Sequence, residues 1–413
     1  MAGSTISGHR RVWIGTTGAA CWRTSVAGPG GLQMSRIGWL FHLAVGIVSL
    51  APACSGANDE TAPGFRRVVT GGPGIWLTSP CFVPVGENDL ALIWATSLSA
   101  EEMKQRYHYG SPDIRFPRLS YASLSASLDD AATLGDRAVT LPYIFQEGRG
   151  IFSVEGETAS TGKLFCTVDA LSGFIASNTL VFDWSWDHGA MRIGEAPTRP
   201  FGNCEMGTGA MIDGTRYRVC GARAVCGRRS GPVVMLLASS DNKSWSGRVM
   251  LDSGAAEEPN LVKTGEHSLS LYYLMVQYRA GQPSEFLERR ESADGGLTWS
   301  EPRVLLKDAV RQYAVCGDGQ REYVVHSTAV GSDWSNGMSV FQQKWLTEMH
   351  YIATSDGGLT WTEPRSLTDG TTFDLDPAIF VVGKKVAVAF VRVLDSGTPA
   401  ASSDLMLGVF DAE

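Results

Sequence analysis

One phrase of twelve residues occurs twice in this chain. It reads Ser-Ala-Asp-Gly-Gly-Leu-Thr-Trp-Ser-Glu-Pro-Arg at 292–303 and Thr-Ser-Asp-Gly-Gly-Leu-Thr-Trp-Thr-Glu-Pro-Arg at 354–365, 62 residues later. A weaker copy, Ser-Ser-Asp-Asn-Lys-Ser-Trp, occupies 239–245 and begins 53 residues before the first strong one. Repetition at such a period is typical of a fold that repeats one supersecondary unit.

The repeated phrase has the chemistry of a hairpin turn that carries a hydrophobic plug. The carboxylates of Asp294 and Asp356 can accept hydrogen bonds from backbone N–H groups of their own turns, and Asp241 has the same place in the weaker copy. The glycines allow positive φ, and Trp299 and Trp361 supply large rings to bury against a neighbouring sheet. We therefore predict a structural role for these residues.

The remainder of the chain is typical of an all-β protein. Short apolar runs such as 233–237 and 386–393 are bounded by Gly, Pro, Asn or Asp, and no long amphipathic helical pattern occurs. With about 50–60 residues in each unit, residues 60–413 supply six units. We predict one closed six-bladed β-propeller of four-stranded antiparallel blades, because closure removes exposed sheet edges. The strands within 386–410 would complete a blade begun near the mature N-terminus.

The first 53 residues differ in composition, with four arginines and no acidic residue. Met34-Ser35-Arg36, an apolar run over 37–50 and the small residues before Cys54 indicate a secretory signal peptide. We expect translation to start at Met34, which makes 1–33 a spurious extension. The residues before Cys54 also loosely resemble a bacterial lipoprotein box. We predict a periplasmic or extracellular protein, with membrane association only through a lipid anchor at Cys54.

Charge and cysteine usage exclude several classes of function. Beyond residue 53 the chain has 31 basic and 43 acidic residues, with no basic stripe and no zinc-type Cys/His spacing. We therefore expect neither a nucleic-acid partner nor a metal or organic cofactor. The six cysteines after Cys54 permit 15 pairings into three disulfides, including a local Cys220–Cys226 bridge. Buried free thiols are the alternative.

The repeated phrase resembles the Asp box, or BNR repeat, of the sialidase superfamily. This resemblance implies a propeller with Asp-box turns and a ligand site at the central axis, on the face opposite those turns. The order of a Gly-x-Gly strand at 207–212, the weak box, Glu-Glu-Pro-Asn-Leu-Val at 257–262 and a strand ending in Arg279 is similar to the exo-sialidases. By this resemblance Glu258 matches the glutamate that polarises a tyrosine nucleophile. Arg279 matches the second arginine of a triad that clamps a carboxylate.

Other parts of the family pattern are missing. The first arginine has no counterpart in 80–84, and Phe65-Arg66-Arg67 lacks the following Ile-Pro. There is no arginine from 322 to 364, so Lys344 is the remaining candidate cation for the third position. Phe373 stands where the family has its tyrosine nucleophile. Asp113 is matched to the acid/base aspartate.

Two functions agree with these residues. The first is an exported exo-acting glycoside hydrolase that removes terminal sugars from glycans, with sialic acid or a neutral sugar as substrate. Most such enzymes use two carboxylates, and we predict Glu258, Asp113 and Asp376 as catalytic residues. The predicted substrate-binding residues are Arg279, Glu205, Lys344 and Asp374. The second is a non-catalytic glycan-binding or scaffold propeller, which an axis with one acid and many aromatic side chains would favour.

Overall fold

The structure is a computed structural model that describes most of the chain after residue 64. The described residues are 12–13, 64–72, 75–85, 89–97, 118–125, 127–128, 138–144, 148–158, 160–169, 177–194, 198–202, 204–226, 229–241, 244–251, 256–279, 282–307, 310–319, 321–331, 346–394 and 402–412. They form six antiparallel sheets and contain no helix. The described residues therefore include no membrane-spanning helix.

The first three blades follow one another along the chain. Blade 1 contains β3 (Leu77–Val85), β4 (Asp89–Thr96), β5 (Arg118–Ser125) and β6 (Val139–Ile144). Blade 2 contains β7 (Gly148–Thr158), β8 (Thr161–Asp169), β9 (Ser177–Asp187) and β10 (Ala190–Ile193), and β11 (Thr198–Gly202) also pairs with β9. Blade 3 contains β12 (Cys204–Ile212), β13 (Thr215–Cys226), β14 (Arg229–Ser239) and β15 (Ser246–Leu251), and β1 (Val12–Trp13) pairs with β15.

The other three blades close the ring. Blade 4 contains β16 (Ala256–Lys263), β17 (Leu269–Arg279), β18 (Gln282–Ser292) and β19 (Arg303–Leu306). Blade 5 contains β20 (Val310–Gly317), β21 (Glu322–Gly331), β22 (Leu346–Thr354) and β23 (Arg365–Ser366). Blade 6 contains β24 (Phe373–Val382), β25 (Lys385–Leu394), β26 (Ser402–Asp411) and, as its outermost strand, β2 (Phe65–Thr70). The predicted six-bladed β-propeller is confirmed, and its last blade is completed by a strand from near the N-terminus.

The core lies between neighbouring blades, and the second strand of blade 6 shows why. In β25, Ala387, Ala389 and Val391 pack toward blade 1, whereas Val386 and the alternate residues after it pack toward blade 5. Successive side chains of a strand point to opposite faces, so a strand enclosed on both sides is apolar at every position. This accounts for the unbroken apolar run that the sequence shows over 386–391.

The strand order defines two faces of the propeller. In every blade the innermost strand begins at one face, which we call the upper face, and the turn between the third and fourth strands lies at the opposite, lower face. The two repeated phrases follow β18 and β22, so they form third-to-fourth-strand turns at the lower face. Second strands end, and third strands begin, at the upper face.

The two repeated turns share one hydrogen-bond pattern. Asp294 accepts hydrogen bonds from the backbone N–H of Thr298 at 2.8 Å and from its hydroxyl at 2.6 Å. Asp356 does the same with Thr360 at 3.0 and 2.6 Å. These bonds lower the pKa of Asp294 to about 2 and also lower that of Asp356. Both carboxylates are therefore occupied within their own turns, far from the upper face.

The weaker copy and the two plug rings complete this pattern. Asp241 accepts a hydrogen bond from the backbone N–H of Ser244 at 2.7 Å. Trp299 packs against the apolar cluster between blades 3 and 4, and Trp361 packs against the cluster between blades 4 and 5.

The local disulfide prediction is wrong. Cys220 and Cys226 lie six residues apart on the same strand, β13, where the chain rises about 3.3 Å per residue, so their Cα atoms are about 20 Å apart, beyond the reach of a disulfide. Cys220 is a reduced thiol, as are Cys81, Cys166 and Cys316. Burial raises the pKa of Cys81 and Cys166 to about 12, which keeps both thiols protonated and inert. For these four residues the alternative of unbridged thiols applies.

Candidate active site

Three residues on innermost strands have strained backbones, and all three precede proline. Ser79, Glu258 and Asp376 have φ values of 50°, 49° and 51°. Positive φ is uncommon outside glycine, and a following proline disfavours helical conformations further. Each of the three lies in a β-bulge, where β3, β16 and β24 shift register against the second strand of the same blade. Strain of this kind persists where the surrounding structure enforces it and is concentrated at functional sites.

All three bulges lie at the upper face, near the start of their strands. Ser79 and Glu258 are the third residues of β3 and β16, and Asp376 is the fourth residue of β24. Because the innermost strands surround the central axis, the three bulges border the upper mouth of the propeller. This is the face opposite the two repeated turns.

The carboxylate of Asp376 is oriented by two neighbouring blades. Its Oδ2 accepts hydrogen bonds from the Thr78 hydroxyl and from the backbone N–H of Ser79, the latter at 3.2 Å. Its Oδ1 accepts a hydrogen bond from Nε2 of Gln312 at 2.7 Å, and its own backbone N–H donates to Oε1 of Gln312 at 2.6 Å. Strands from blades 1, 5 and 6 therefore meet at a carboxylate that is partly exposed.

Glu258 is held through its backbone, and its side chain is exposed. Its carbonyl oxygen accepts a hydrogen bond from the Tyr313 hydroxyl at 2.5 Å and another from Nδ2 of Asn260 at 3.3 Å. Burial raises the pKa of Tyr313 well above its usual value, so this hydroxyl keeps its proton and acts as a donor. The carboxylate of Glu258 thus lies in contact with solvent on a rigid support.

Blade 3 holds the same bulge from its other side. The backbone N–H of Leu261 donates to the Thr208 hydroxyl at 2.7 Å, and that hydroxyl donates to the Leu261 carbonyl at 2.9 Å. Gly207 lies so close to Pro259 that a Cβ at this position would be 1.7 Å from the Pro259 carbonyl oxygen. The bulge at Glu258 is therefore fixed between β12 and β20.

A partly buried ion pair lies at the upper face, between the start of β20 and the start of β18. Nη1 of Arg311 is 3.2 Å from Oε1 of Glu285, and both side chains are less than one fifth exposed. Burial lowers the pKa of Arg311 and raises that of Glu285, and the charge of Glu257 also raises the pKa of Glu285. Arg311 was not among the residues predicted from the sequence, because no motif surrounds it. Its position at the upper face becomes evident only from the strand order.

Asp374 lies two residues before Asp376 but has a different environment. Its carboxylate is fully buried and bonds Arg392, with Nε to Oδ1 at 2.8 Å and Nη2 to Oδ2 at 3.0 Å. Burial raises its pKa, and the Arg392 contact opposes that rise. Asp374 therefore connects β24 to β25 inside blade 6 and does not face the upper mouth. Phe373, in the place of a tyrosine, is also buried.

The remaining predicted residues are described only in part. Arg279 is the last residue of β17 and Glu205 the second residue of β12, so both backbones lie at the upper face, and their side chains are outside the described residues. Asp113 and Lys344 belong to connections that lie outside the described residues altogether. In the described part of the chain, no three His, Cys, Asp or Glu residues form a cluster that could hold a metal ion.

The candidates for a first arginine do not reach the axis. Arg66 and Arg67 lie on β2, the outermost strand of blade 6, where Nη1 of Arg67 is 3.6 Å from Oδ2 of Asp404. The innermost strand of blade 1, β3, contains no arginine.

Comparison with known proteins identifies the architecture. No protein-family model and no curated protein sequence matches the chain. Among solved structures, the α-L-arabinanase of Penicillium chrysogenum complexed with arabinobiose has a TM-score of 0.53 at 12% identity, over 85% of this chain and 98% of that one. The α-L-arabinofuranosidase of Fusarium graminearum with arabinobiose has a TM-score of 0.51 at 9% identity, over 82% and 97%. The Trypanosoma rangeli sialidase in complex with the inhibitor DANA has a TM-score of 0.50 at 10% identity, over 84% and 60%. At these identities the similarity shows a shared propeller fold.

Proposed function

We propose that the protein is an exo-acting glycoside hydrolase whose active site is the upper mouth of the propeller. The observation that carries this proposal is the pair of carboxylates on strained bulges, Glu258 and Asp376, on innermost strands at one face. Glycosidases use two such groups on either side of the scissile bond. Solved structures with this fold include an arabinanase and an arabinofuranosidase, each with arabinobiose bound, and a sialidase.

The two carboxylates have different environments, which suggests different roles. Three donors orient Asp376, so it serves as the group that attacks the anomeric carbon or activates water for that attack. Glu258 has an exposed side chain and serves as the acid that protonates the leaving glycosidic oxygen. The bond from the anomeric carbon to that oxygen breaks, and water supplies the new hydroxyl on the sugar and the proton that restores Glu258.

Other predicted residues complete the substrate pocket in this proposal. Glu205 and Arg279 start from strand positions at the same face, and Asp113 and Lys344 belong to second-to-third-strand connections that begin and end there. Asp374 has no place in the pocket because Arg392 occupies its carboxylate. The incomplete arginine triad favours a neutral terminal sugar over sialic acid.

Export through the signal peptide at 34–53 belongs to the same proposal and is checked by sequencing the mature N-terminus.

The test is an activity panel on the full chain with matched variants. We expect hydrolysis of at least one aryl glycoside from a set that includes α-L-arabinofuranosides and α-sialosides. Asp376→Asn and Glu258→Gln should each lower kcat by about 1,000-fold or more. The control, Asp294→Asn, removes a carboxylate from the lower face and should leave kcat within about threefold.

Three outcomes distinguish the alternatives. Hydrolysis that both Asp376→Asn and Glu258→Gln retain would show that the chemistry uses other residues. A wild-type protein that binds oligosaccharides but cleaves none of the panel would support the non-catalytic glycan-binding alternative. Loss of activity in the Asp294→Asn control as well would mean that the variants report on folding.

A further inference from the structure

One innermost strand, β20, contacts the carboxylate of Asp376 and the backbone carbonyl of Glu258. Gln312 and Tyr313 are successive residues of β20, so their side chains point to opposite faces of blade 5. Gln312 reaches Asp376 of blade 6, and Tyr313 reaches the carbonyl of Glu258 of blade 4. The two bulges are thereby joined through a single peptide unit.

The Gln312 contact defines the orientation of its amide. The backbone N–H of Asp376 is a donor, so the side-chain oxygen of Gln312 must face it, at 2.6 Å. The amide nitrogen is then the atom that donates to Oδ1 of Asp376, at 2.7 Å. A two-point contact of this kind fixes both the backbone and the carboxylate of one residue. Glutamate has the same shape as glutamine and would place a second carboxylate against the first.

The Tyr313 contact acts on the strained peptide that follows Glu258. The ring is buried between blades 4 and 5, and its hydroxyl is the donor nearest to the Glu258 carbonyl. Because a positive φ before proline is unfavourable, this peptide relaxes unless a partner holds its carbonyl in place. Removal of the Tyr313 hydroxyl leaves only the longer contact from Nδ2 of Asn260, at 3.3 Å, and should therefore change where the Glu258 side chain begins.

We propose that Gln312 and Tyr313 are positioning residues that set the separation and orientation of the Asp376 and Glu258 carboxylates. This inference rests on the proposed glycosidase function and deepens it. The separation of the two carboxyl groups decides whether a water molecule fits between the sugar and the base, and hence which stereochemical course the hydrolysis takes. A strand that contacts one carboxylate and the backbone of the residue that carries the other is the element that can define that separation.

The first experiment compares Gln312→Glu with Gln312→Met. The described groups that contact the Asp376 carboxylate, from β3 and β20, are Thr78, Ser79 and Gln312, and all are uncharged. A carboxylate at 312 should therefore move the acid limb of the kcat/KM profile upward by about one pH unit or more. Methionine removes both hydrogen bonds without adding a charge, so kcat should fall about 10–100-fold, and the limb should move upward by less than in Gln312→Glu because only one donor to the carboxylate is lost. An unchanged profile and an unchanged kcat in the two variants would overturn the role of Gln312.

The second experiment removes single hydroxyl groups. Tyr313→Phe should lower kcat about 10–100-fold with KM within about threefold, since the sugar still binds but Glu258 is displaced. Tyr323→Phe is the matched control on the same blade, because the Tyr323 hydroxyl has no hydrogen-bond partner among the described residues. Equal kcat values in the two variants would overturn the role of Tyr313.

A third measurement does not depend on activity. Gln312→Glu should lower the melting temperature by a few degrees, and Asp376→Asn added to it should restore the loss, since an asparagine can donate to the new glutamate. If Asp376→Asn shifts the melting temperature equally in both backgrounds, the two residues are not coupled and the inference fails. An inactive wild-type protein would instead defeat the proposed function, so the two failures are distinguishable.

Discussion

Gly207 offers a direct test of how tightly the candidate acid is held. A Cβ at this position would lie 1.7 Å from the Pro259 carbonyl oxygen, 2.9 Å from its carbon and 3.1 Å from Cγ2 of Val219. Ordinary contacts of a Cβ begin near 3.4 Å, so Gly207→Ala must separate the strands by roughly 1.5 Å in a close-packed interior. Glu258 directly precedes Pro259, so the bulge at Glu258 would have to accommodate most of this displacement.

The expected magnitude follows from that displacement. A shift of about 1 Å in a catalytic group can cost about 100-fold in rate, which corresponds to about 2.7 kcal/mol of transition-state stabilisation. Overpacking should also reduce the free energy of unfolding by about 1–3 kcal/mol. We therefore expect Gly207→Ala to fold and to lose about 100-fold in kcat/KM on the best aryl glycoside.

Gly221 provides the matched control, because it faces the same proline. A Cβ at Gly221 would be 3.6 Å from Cδ of Pro259, an ordinary contact. Gly221→Ala should therefore keep kcat/KM within about threefold of wild type. The assay is steady-state hydrolysis together with urea denaturation of each variant. If folded Gly207→Ala is as active as Gly221→Ala, the position of the bulge does not control the chemistry and our reasoning is refuted.

Two further predictions concern stability. Glu322 is fully buried against Arg289, and Glu322→Gln should lower the free energy of unfolding, measured by urea denaturation, by about 3 kcal/mol. This is the lower end of the range for a broken buried pair, because Glu291 also contacts Arg289. A decrease no larger than that of the exposed Asp183→Asn would contradict the prediction. Burial lowers the pKa of His326 to about 3. Between about pH 6.5 and pH 3 the unfolded chain therefore binds a proton at His326 that the folded chain does not. The free energy of unfolding should fall as the pH drops through this range, by up to about 1.4 kcal/mol per pH unit. Urea midpoints at several pH values should show this slope, and His326→Phe should flatten it; equal slopes would show that another group dominates.

The repeated turns made the fold predictable from the sequence. The Asp-Gly-Gly-Leu-Thr-Trp turn at 294–299 depends on hydrogen bonds among residues within six positions of one another, so local sequence determines it. Its recurrence at 356–361 indicated repeated blades, and the apolar runs between the turns indicated strands. Cys220 and Cys226 were harder to interpret, because their proximity in sequence conceals the length of β13.

The candidate site was predictable only in part. Glu258, Asp374 and Asp376 were all predicted as site residues from the sequence, and only the structure shows how different the environments of the last two are. In a regular strand, residues two apart point to the same face. The bulge between Leu375 and Ala378 breaks that alternation, so one carboxylate meets Arg392 inside the blade and the other meets Gln312 at the axis. Gln312 and Tyr313 have no local signal at all, because their partners lie 64 and 55 residues away.

The three proline bulges also have a role that is independent of chemistry. An innermost strand has no neighbour within its own blade on the axial side, so it is an edge strand, and edge strands are protected by prolines and bulges. Ser79-Pro80 on β3 has the same backbone geometry as Glu258-Pro259 and Asp376-Pro377 but carries no carboxylate. The bulge is therefore a property of the fold, and the acidic side chains at two of the three positions are the part that the proposed chemistry requires. Since Ser79 donates its backbone N–H to Asp376, the bulge of blade 1 supports the carboxylate that the bulge of blade 6 carries.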